Sequence, residues 1–148
     1  MELTGRYRIE RDRETVLAAL SDPEVLRTST PFLDRLEVLG PGRFAGALGL
    51  RFGLLALRVD GFAEVEPIDP PEQFQIRVGR GRSGGRRVGL RLEEGPQGWT
   101  TVSYHVAVGG LGPFALFGAP WVERTAAEQS HRFFAAVARS LGARGEPA

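Results

Sequence analysis

Polar and apolar residues alternate strictly over the first ten positions of the chain. Leu3, Gly5, Tyr7 and Ile9 fall on one side of this alternation, and charged residues or threonine fall on the other. A period of two over this length predicts a half-buried β-strand.

The next twenty residues change to a helical pattern in two short segments. Asp12 is placed to cap a helix from about Arg13 to Leu20, whose apolar stripe is Val16, Leu17 and Leu20. The segment SDPEVL predicts a second helix that ends before Pro31. Its start signals are Ser21 or Asp22 as the cap, Pro23 in the first turn and Glu24 placed for a capping box.

From Phe32 to Val108 the period returns to two, and clusters of Gly, Pro, Asp and Glu interrupt it at regular intervals. This pattern predicts six strands joined as an antiparallel meander. We expect them at about 33–39, 43–51, 54–66, 73–79, 86–94 and 99–108. Choosing the more apolar side predicts that the inward residues are Leu36, Val38, Phe44, Gly46, Leu48, Leu50, Leu55, Leu57, Val59, Gly61, Ala63, Val65, Phe74, Ile76, Val78, Val88, Leu90, Leu92, Val102, Tyr104 and Val106.

A long helix is expected over 121–141, after the irregular apolar segment GGLGPFALFGAPW. We expect one helical turn from Pro113 to Phe117, a break at Gly118, and Pro120 in the first turn of the long helix. The apolar face of this helix is Val122, Ala126, Ser130, Phe133, Phe134, Val137 and Leu141. Residues 143–148 are predicted to be a frayed polar tail after a single domain at 1–142.

These elements indicate an α+β fold in which a curved, seven-stranded antiparallel sheet wraps around one long C-terminal helix. Glycines inside strands, at Gly46 and Gly61, are typical of bends or bulges. A sheet curved around one helix leaves room for an internal cavity, since glycines supply no side chain to fill it.

Composition excludes several classes of function. The 148 residues contain no cysteine, so disulfides and thiolate chemistry are excluded, and the net charge of +1 does not favour bulk binding of nucleic acid. The start MELTGRYRIERDRE has no apolar core of a signal peptide, and no apolar run approaches the roughly 20 residues of a membrane-spanning helix. We therefore expect a cytoplasmic protein.

The order of elements and several stretches resemble the CoxG family of carbon monoxide dehydrogenase subunits, within the START-like, or SRPBCC, helix-grip superfamily. The resemblance covers nearly the whole chain, and its most specific blocks are LSDPEVL and DPPE. It implies a helix-grip fold with a hydrophobic cavity and no enzymatic chemistry. It also implies an accessory role beside a molybdenum-containing carbon monoxide dehydrogenase or related hydroxylase, with membrane recruitment and a lipophilic quinone-type ligand.

The sequence departs from that family in two places. It stops at Ala148, without the long linker and apolar anchoring tail of many members, so we do not expect anchoring by that route. Pro113 and Pro120 also interrupt the segment that enters the last helix. Phe114, Phe117 and Trp121 in this segment are interpreted either as a mobile gate to the cavity or as a patch that touches a lipid surface.

The expected ligand is a quinone or another lipid-like molecule in the cavity, and we expect no other cofactor. A flat lipophile suits a pocket that is mostly apolar with a few polar groups. Ordinary core packing is the alternative role for its aromatic residues. The candidate lining residues are Tyr7, Leu48, Leu50, Leu57, Val59, Ile76, Leu90, Tyr104, Phe114, Phe117, Trp121, Ser130, Phe133 and Phe134.

A second candidate site is the arginine-rich hairpin GRGRSGGRR, with Arg80, Arg82, Arg86 and Arg87. Arginines beside glycines suit an acidic protein partner or anionic lipid headgroups. This site favours an alternative function, as a protein-interaction or maturation factor for the hydroxylase. The GxGxxG spacing in the same hairpin precedes a strand rather than a helix, which argues against a nucleotide site.

Catalytic and metal-binding residues are not expected. Glu128 and His131 form one Glu-x-x-His pair, whereas di-iron bundles need two such pairs and further glutamates. Asp60 is expected to pair with Arg51 or another arginine on the outward face. An aromatase- or cyclase-like enzyme, the third alternative, needs an acid or base inside the cavity, and the inward set contains no carboxylate.

Overall fold

The computed structural model describes residues 2–30, 32–52, 54–79, 86–107 and 118–148. The elements follow the predicted order, with one additional strand at the C-terminal end. They are β1 Glu2–Ile9, α1 Arg13–Ser21, α2 Pro23–Ser29, β2 Leu33–Gly40, β3 Arg43–Phe52, β4 Leu55–Asp69, β5 Gln73–Gly79, β6 Arg86–Glu94, β7 Thr100–Ala107, α3 Ala119–Ser140 and β8 Gly145–Pro147.

The strands form one antiparallel sheet in the order β2-β3-β4-β5-β6-β7-β1-β8. The predicted meander from β2 to β7 is confirmed, and β1 pairs with β7 so that Gly5 lies opposite Tyr104. The first and last long strands are therefore neighbours, and the two short helices connect β1 to the far edge of the sheet.

The C-terminal residues are more ordered than their polar composition predicts. Seven strands and a frayed tail at 143–148 are expected from the sequence, but Gly145–Pro147 forms an eighth strand that pairs with β1. The backbone amide of Glu10 donates to the carbonyl oxygen of Arg144 at 2.9 Å, and that of Ala148 donates to Arg6 at 3.1 Å. Exposed β1 backbone groups thus offer the tail hydrogen bonds that a solvated chain end would make to water.

Local side chains start the two short helices as their composition predicts, with one difference. Asp12 accepts a hydrogen bond from the amide of Thr15 at 3.2 Å, and Asp22 accepts one from the amide of Glu24 at 2.9 Å. With Asp22 as the cap, the Glu24 carboxylate pairs with Arg27 on the same helix. The predicted capping box does not form, because it requires Ser21 as the cap.

The long helix begins at the predicted break. Gly118 has φ +82°, a conformation that favours glycine, and Pro120 lies in the first turn. The helix starts at Ala119, two residues before the expected position, and continues to Ser140. The part of this prediction that concerns 113–117 lies outside the described residues.

The core lies at one end of the sheet, where α3 packs along β1, β8 and α2. Ile9, Leu92, Val102 and Val137 are completely buried there. On the opposite side of the inner face, Val38 is 53% exposed and Leu48 is 38% exposed, although the pattern predicts both to be inside. A single helix placed against β1 does not reach these strands, so this half of the inner face stays open among the described residues.

Two details of β3 depend on its neighbours. Alternation assigns Ala47 to the outward face, yet it is 1% exposed, because it lies between Arg35 and Asp60 in register and their ion pair at 3.9 Å bridges over it. The predicted close approach at Gly46 and Gly61 is confirmed. A Cβ atom would lie 2.7 Å from the Arg35 carbonyl oxygen at the first and 2.9 Å from that of Gly79 at the second.

Candidate functional site

The inner face of the sheet presents a broad apolar surface beside α3. Ile76 is paired with Val65 on one side and Val88 on the other, and Phe74 is paired with Leu90. Val65 and Leu90 pack against the buried core, which shows that these positions face α3. We call the open or half-buried members the inner apolar surface; they are Val38, Leu48, Val65, Ile76, Val78, Val88 and Leu90.

Three rings connect this surface to the helix. The ring of Phe134 stacks against Tyr7, with centroids 5.6 Å apart and planes at 21°, and against Tyr104 at 5.8 Å and 25°. Phe133 meets Phe134 edge-on at 5.1 Å. Stacked and edge-on rings at these distances attract each other beyond the burial of their area. We call Tyr7, Phe134 and Tyr104 the aromatic stack.

The members of the stack differ in their exposure to an occupant of the inner surface. Tyr7 is 3% exposed and Phe134 is 5% exposed, so the ordinary-core alternative describes these two residues. Tyr104 and Phe133 are half-buried and pack against the core from its edge. The stack therefore forms the boundary between a closed core and the inner apolar surface.

Tyr104 is held in place by a glycine on the neighbouring strand. Gly5 lies directly opposite Tyr104, and a Cβ atom on Gly5 would overlap the hydroxyl and ring of that tyrosine. The phenol ring thus lies across β1, with Phe134 stacked on it. The sequence predicts both residues as inward-facing but not their contact, which only the strand register creates.

The polar candidates on α3 lie close to the same stack. Ser130 and His131 are both half-buried, and the His131 ring centroid is 6.1 Å from that of Tyr7. Burial raises the pKa of the Tyr7 phenol above its ordinary value of 10.0, and the charge of Arg139 partly opposes this effect. Tyr7 is therefore neutral at physiological pH. His105 is exposed, as predicted, and its Nε2 atom lies 3.4 Å from Glu2.

Carboxylates are kept off the inner apolar surface. Asp60 faces outward, as expected, with Arg58 at 3.7 Å and Arg35 at 3.9 Å rather than the predicted Arg51 as its nearest described partners. Asp34 is exposed on the outward face beside Gly49. No described side chain on this surface is a carboxylic acid that could serve as a general acid or base.

Several candidates cannot be located in the described part of the chain. Phe114, Phe117, Arg80 and Arg82 lie outside the described residues, and only the backbone of Leu50, Leu57, Val59 and Arg86 is described. Trp121 is half-buried in the first turn of α3. Arg87 is exposed on β6, opposite Arg77 on the outward side of the sheet.

Two clusters on the outward side are not predicted by the sequence. Arg77 bonds to Glu64 at 2.5 Å and lies over the ring of Phe62 at 5.5 Å. Trp99 lies between two guanidinium groups, with Arg8 at 4.7 Å and Arg144 at 5.7 Å from its ring centroid. Alternation of charge along β4 and β5 is visible in the sequence, but the distance between Trp99 and Arg144 along the chain leaves no local signal.

The described ranges show no arrangement for metal coordination. Within them, no group of three or more His, Asp or Glu side chains is placed to hold a metal ion. No helix built from these residues has the length and apolarity that crossing a bilayer requires.

Comparisons with solved structures identify the fold. A conserved protein from Geobacillus kaustophilus matches with a TM-score of 0.81 and 21% identity over 99% of both chains. A START superfamily protein from Mycobacterium smegmatis matches at 0.66 and 16%, covering 94% of this chain and 95% of the other. The di-domain ARO/CYC BexL from the BE-7585A biosynthetic pathway matches at 0.63 and 11%, covering 94% of this chain and 49% of that one. These likenesses show a START-like helix-grip fold.

A search of curated protein sequences found no significant match. A family model gives a more specific result, because the model for the carbon monoxide dehydrogenase subunit CoxG matches residues 5–142, from the β1 glycine beneath Tyr104 to the end of α3. That range contains the inner apolar surface and the whole aromatic stack. The family suggested by the LSDPEVL and DPPE blocks is confirmed: the chain belongs to the CoxG family of carbon monoxide dehydrogenase subunits.

Proposed function

We propose that this protein is a non-catalytic binding domain for an uncharged, quinone- or lipid-like molecule. The observation that carries the proposal is the inner apolar surface, where Leu48 and Val38 remain 38% and 53% exposed beside half-buried aliphatic side chains. An apolar ligand that covers this surface gains about 25 cal/mol per Å² of area removed from water. The family and the START-like fold support the same interpretation.

The accessory role is the second part of the proposal. Membership of the CoxG family favours a role beside a molybdenum-containing carbon monoxide dehydrogenase-type hydroxylase, to which the domain would deliver or from which it would receive its ligand. The domain would act in the cytoplasm and meet the inner face of the cell membrane transiently. Its apolar surface shields a lipophile from water during such a transfer.

A catalytic function is less well supported by the site. One structural neighbour is an ARO/CYC protein, so the fold is compatible with such chemistry. However, the described part of the inner apolar surface carries no carboxylate, and Asp60 and Asp34 face outward. A binding function needs no such group.

Protein interaction through the arginine-rich hairpin remains the alternative function. Exposed Arg87, with Arg77 next to it in register, is the described feature that favours it. Co-purification with the hydroxylase separates the two functions. Replacing Arg87 with Glu abolishes it only if the hairpin is the docking site, and leaves binding of a lipophile unchanged.

The binding proposal is tested with decylubiquinone as the probe. We expect this quinone to raise the melting temperature of the protein and to bind in isothermal titration. Leu48→Glu, which puts a charge on the inner apolar surface, should weaken binding by at least about tenfold, because an apolar ligand cannot compensate a desolvated carboxylate.

Ile68→Glu is the matched control, since Ile68 is 54% exposed at the far end of β4, in a strand irregularity next to Asp69. Its affinity for decylubiquinone should equal that of the wild type. Absence of any quinone or lipid in native mass spectra of protein purified from its own host, together with no thermal shift, would contradict the proposal.

A further inference from the structure

The inner apolar surface has a hydrogen-bonding group at one place along β7. Of the described inward residues of that strand, Thr100 is completely buried and its hydroxyl donates to the Arg11 carbonyl oxygen at 2.7 Å. Val102 and Val106 are apolar. Tyr104 is half-buried at the border of the surface, next to Leu90 in register. Its phenol is thus the polar group of β7 that a ligand on this surface would meet.

The geometry of Tyr104 is preorganised rather than adaptable. Gly5 leaves the space in which its ring and hydroxyl lie, and Phe134 stacks on the ring at 5.8 Å. A phenol that is held between a strand backbone and another ring keeps its hydroxyl at one position. Little rotamer entropy is then lost when that hydroxyl makes a hydrogen bond.

The surroundings determine which polar group suits this hydroxyl. Leu90 and Val88 on the next strand are apolar, and Tyr7, two residues along β1 from Gly5, is 3% exposed. A charged headgroup would find no opposite charge among these residues, and its burial would be costly. An uncharged carbonyl or hydroxyl oxygen needs one donor only, and a hydrogen bond in apolar surroundings is strengthened.

We infer that Tyr104 is a specificity-determining residue whose hydroxyl binds an uncharged oxygen of the ligand, such as a carbonyl, and orients it on the inner apolar surface. This inference rests on the proposed function. It adds that the ligand is an oxygen-bearing neutral lipophile rather than a hydrocarbon-like or anionic lipid. His131 is a weaker candidate for this role, because its ring lies against buried Tyr7 on the core side of the stack.

The test compares two probes of similar apolar size, decylubiquinone, which has carbonyl oxygens, and dodecylbenzene, which has none. Tyr104→Phe removes the hydroxyl and keeps the stacked ring. We expect it to weaken decylubiquinone binding by roughly 2- to 12-fold, the range of one neutral hydrogen bond, and to leave dodecylbenzene binding unchanged. The infrared carbonyl stretch of bound decylubiquinone should move to higher frequency in this variant.

Tyr7→Phe is the matched control, since it removes a hydroxyl from the other tyrosine of the same stack, on the buried side. It should leave the ratio of the two affinities at the wild-type value. Equal losses for both probes in Tyr104→Phe, or a loss for neither, would overturn the role of Tyr104 while the proposed function stands. Failure of the wild type to bind either probe contradicts the proposed function and this inference with it.

Discussion

At the residue scale, the identities of small residues are explained by what lies opposite them in the sheet. Gly5 has an ordinary strand conformation, and its lack of a side chain matters only because Tyr104 occupies the space above it. Ala47 is small because the ion pair between Arg35 and Asp60 spans it. Neither requirement is visible from the neighbours of these residues along the chain.

Gly5→Ala tests this explanation of the Tyr104 position. Because the added methyl group overlaps the tyrosine ring, the ring must leave the stack, and we expect a loss of about 1–3 kcal/mol in the free energy of unfolding. Urea denaturation measures it. Gly89→Ala is the matched control, since its new Cβ would find only the His105 carbonyl oxygen, at 3.8 Å. An equal effect of both substitutions would contradict the steric role of Tyr104.

At the element scale, β8 is held to the sheet by charge as well as by backbone hydrogen bonds. Glu146 pairs with Arg8, and Glu10 accepts a hydrogen bond from Arg144 at 2.5 Å. Both arginines also lie over the ring of Trp99. Gly145 lets the strand approach the core closely, since a Cβ atom there would be 2.8 Å from the Tyr7 ring. The strand thus covers the buried end of the aromatic stack.

The attachment of β8 should depend on pH. The hydrogen bond from Arg144, with its charge, holds the pKa of Glu10 below the ordinary value of 4.5. A lowered pKa in the folded state stabilises the protein above the unfolded value, and this contribution disappears as the pH falls through the folded value. Hydrogen exchange of the β8 amides should therefore accelerate on acidification below about pH 4.5.

Glu10→Gln should weaken that acceleration, because the neutral amide keeps no ion pair to lose. Glu128→Gln, at an exposed position on α3, is the control and should retain the wild-type pH profile. If Glu10→Gln left the pH dependence of β8 exchange unchanged, the ion pair would not be the cause of the attachment.

At the scale of the whole molecule, one helix covers a sheet that is wider than the helix can cover. The aromatic stack fastens α3 to β1 and β7, and the core closes around Ile9, Val102 and Val137. The strands farther from α3 keep apolar side chains at half-buried or exposed positions in the described structure. Stability and ligand binding are thereby divided between the two halves of the inner face.

Phe134→Ala tests the role of the stack in joining the layers. Truncating this ring removes contacts with both tyrosines and leaves a cavity, so we expect a loss of about 3–5 kcal/mol in the free energy of unfolding. Phe133→Ala serves for comparison, because that ring is half-buried and meets Phe134 only edge-on. Its effect on urea denaturation should be clearly smaller. A larger effect of Phe133→Ala would contradict the division between core and surface.

Much of the fold could be predicted because its signals are local. Alternation predicts the strands of the meander to within a few residues, and Asp12, Asp22 and Pro120 mark helix starts through their own turns. The helix break at Gly118 follows from its own conformation. The candidate site was predicted less well, because apolarity places Tyr7 and Tyr104 on the same inward face without distinguishing their burial.

The amino-acid sequence alone determined the order of elements, the inward face of most strands and the family of the chain, since periodicity, capping residues and short sequence blocks are properties of neighbouring residues. Tertiary structure decided that the polar C-terminal segment forms β8, that Tyr104 lies over Gly5, and that Leu48 and Val38 stay uncovered. Each of these depends on which distant segments meet. Strand register and the position of one helix against a wide sheet set those meetings, and neither is encoded in a local pattern.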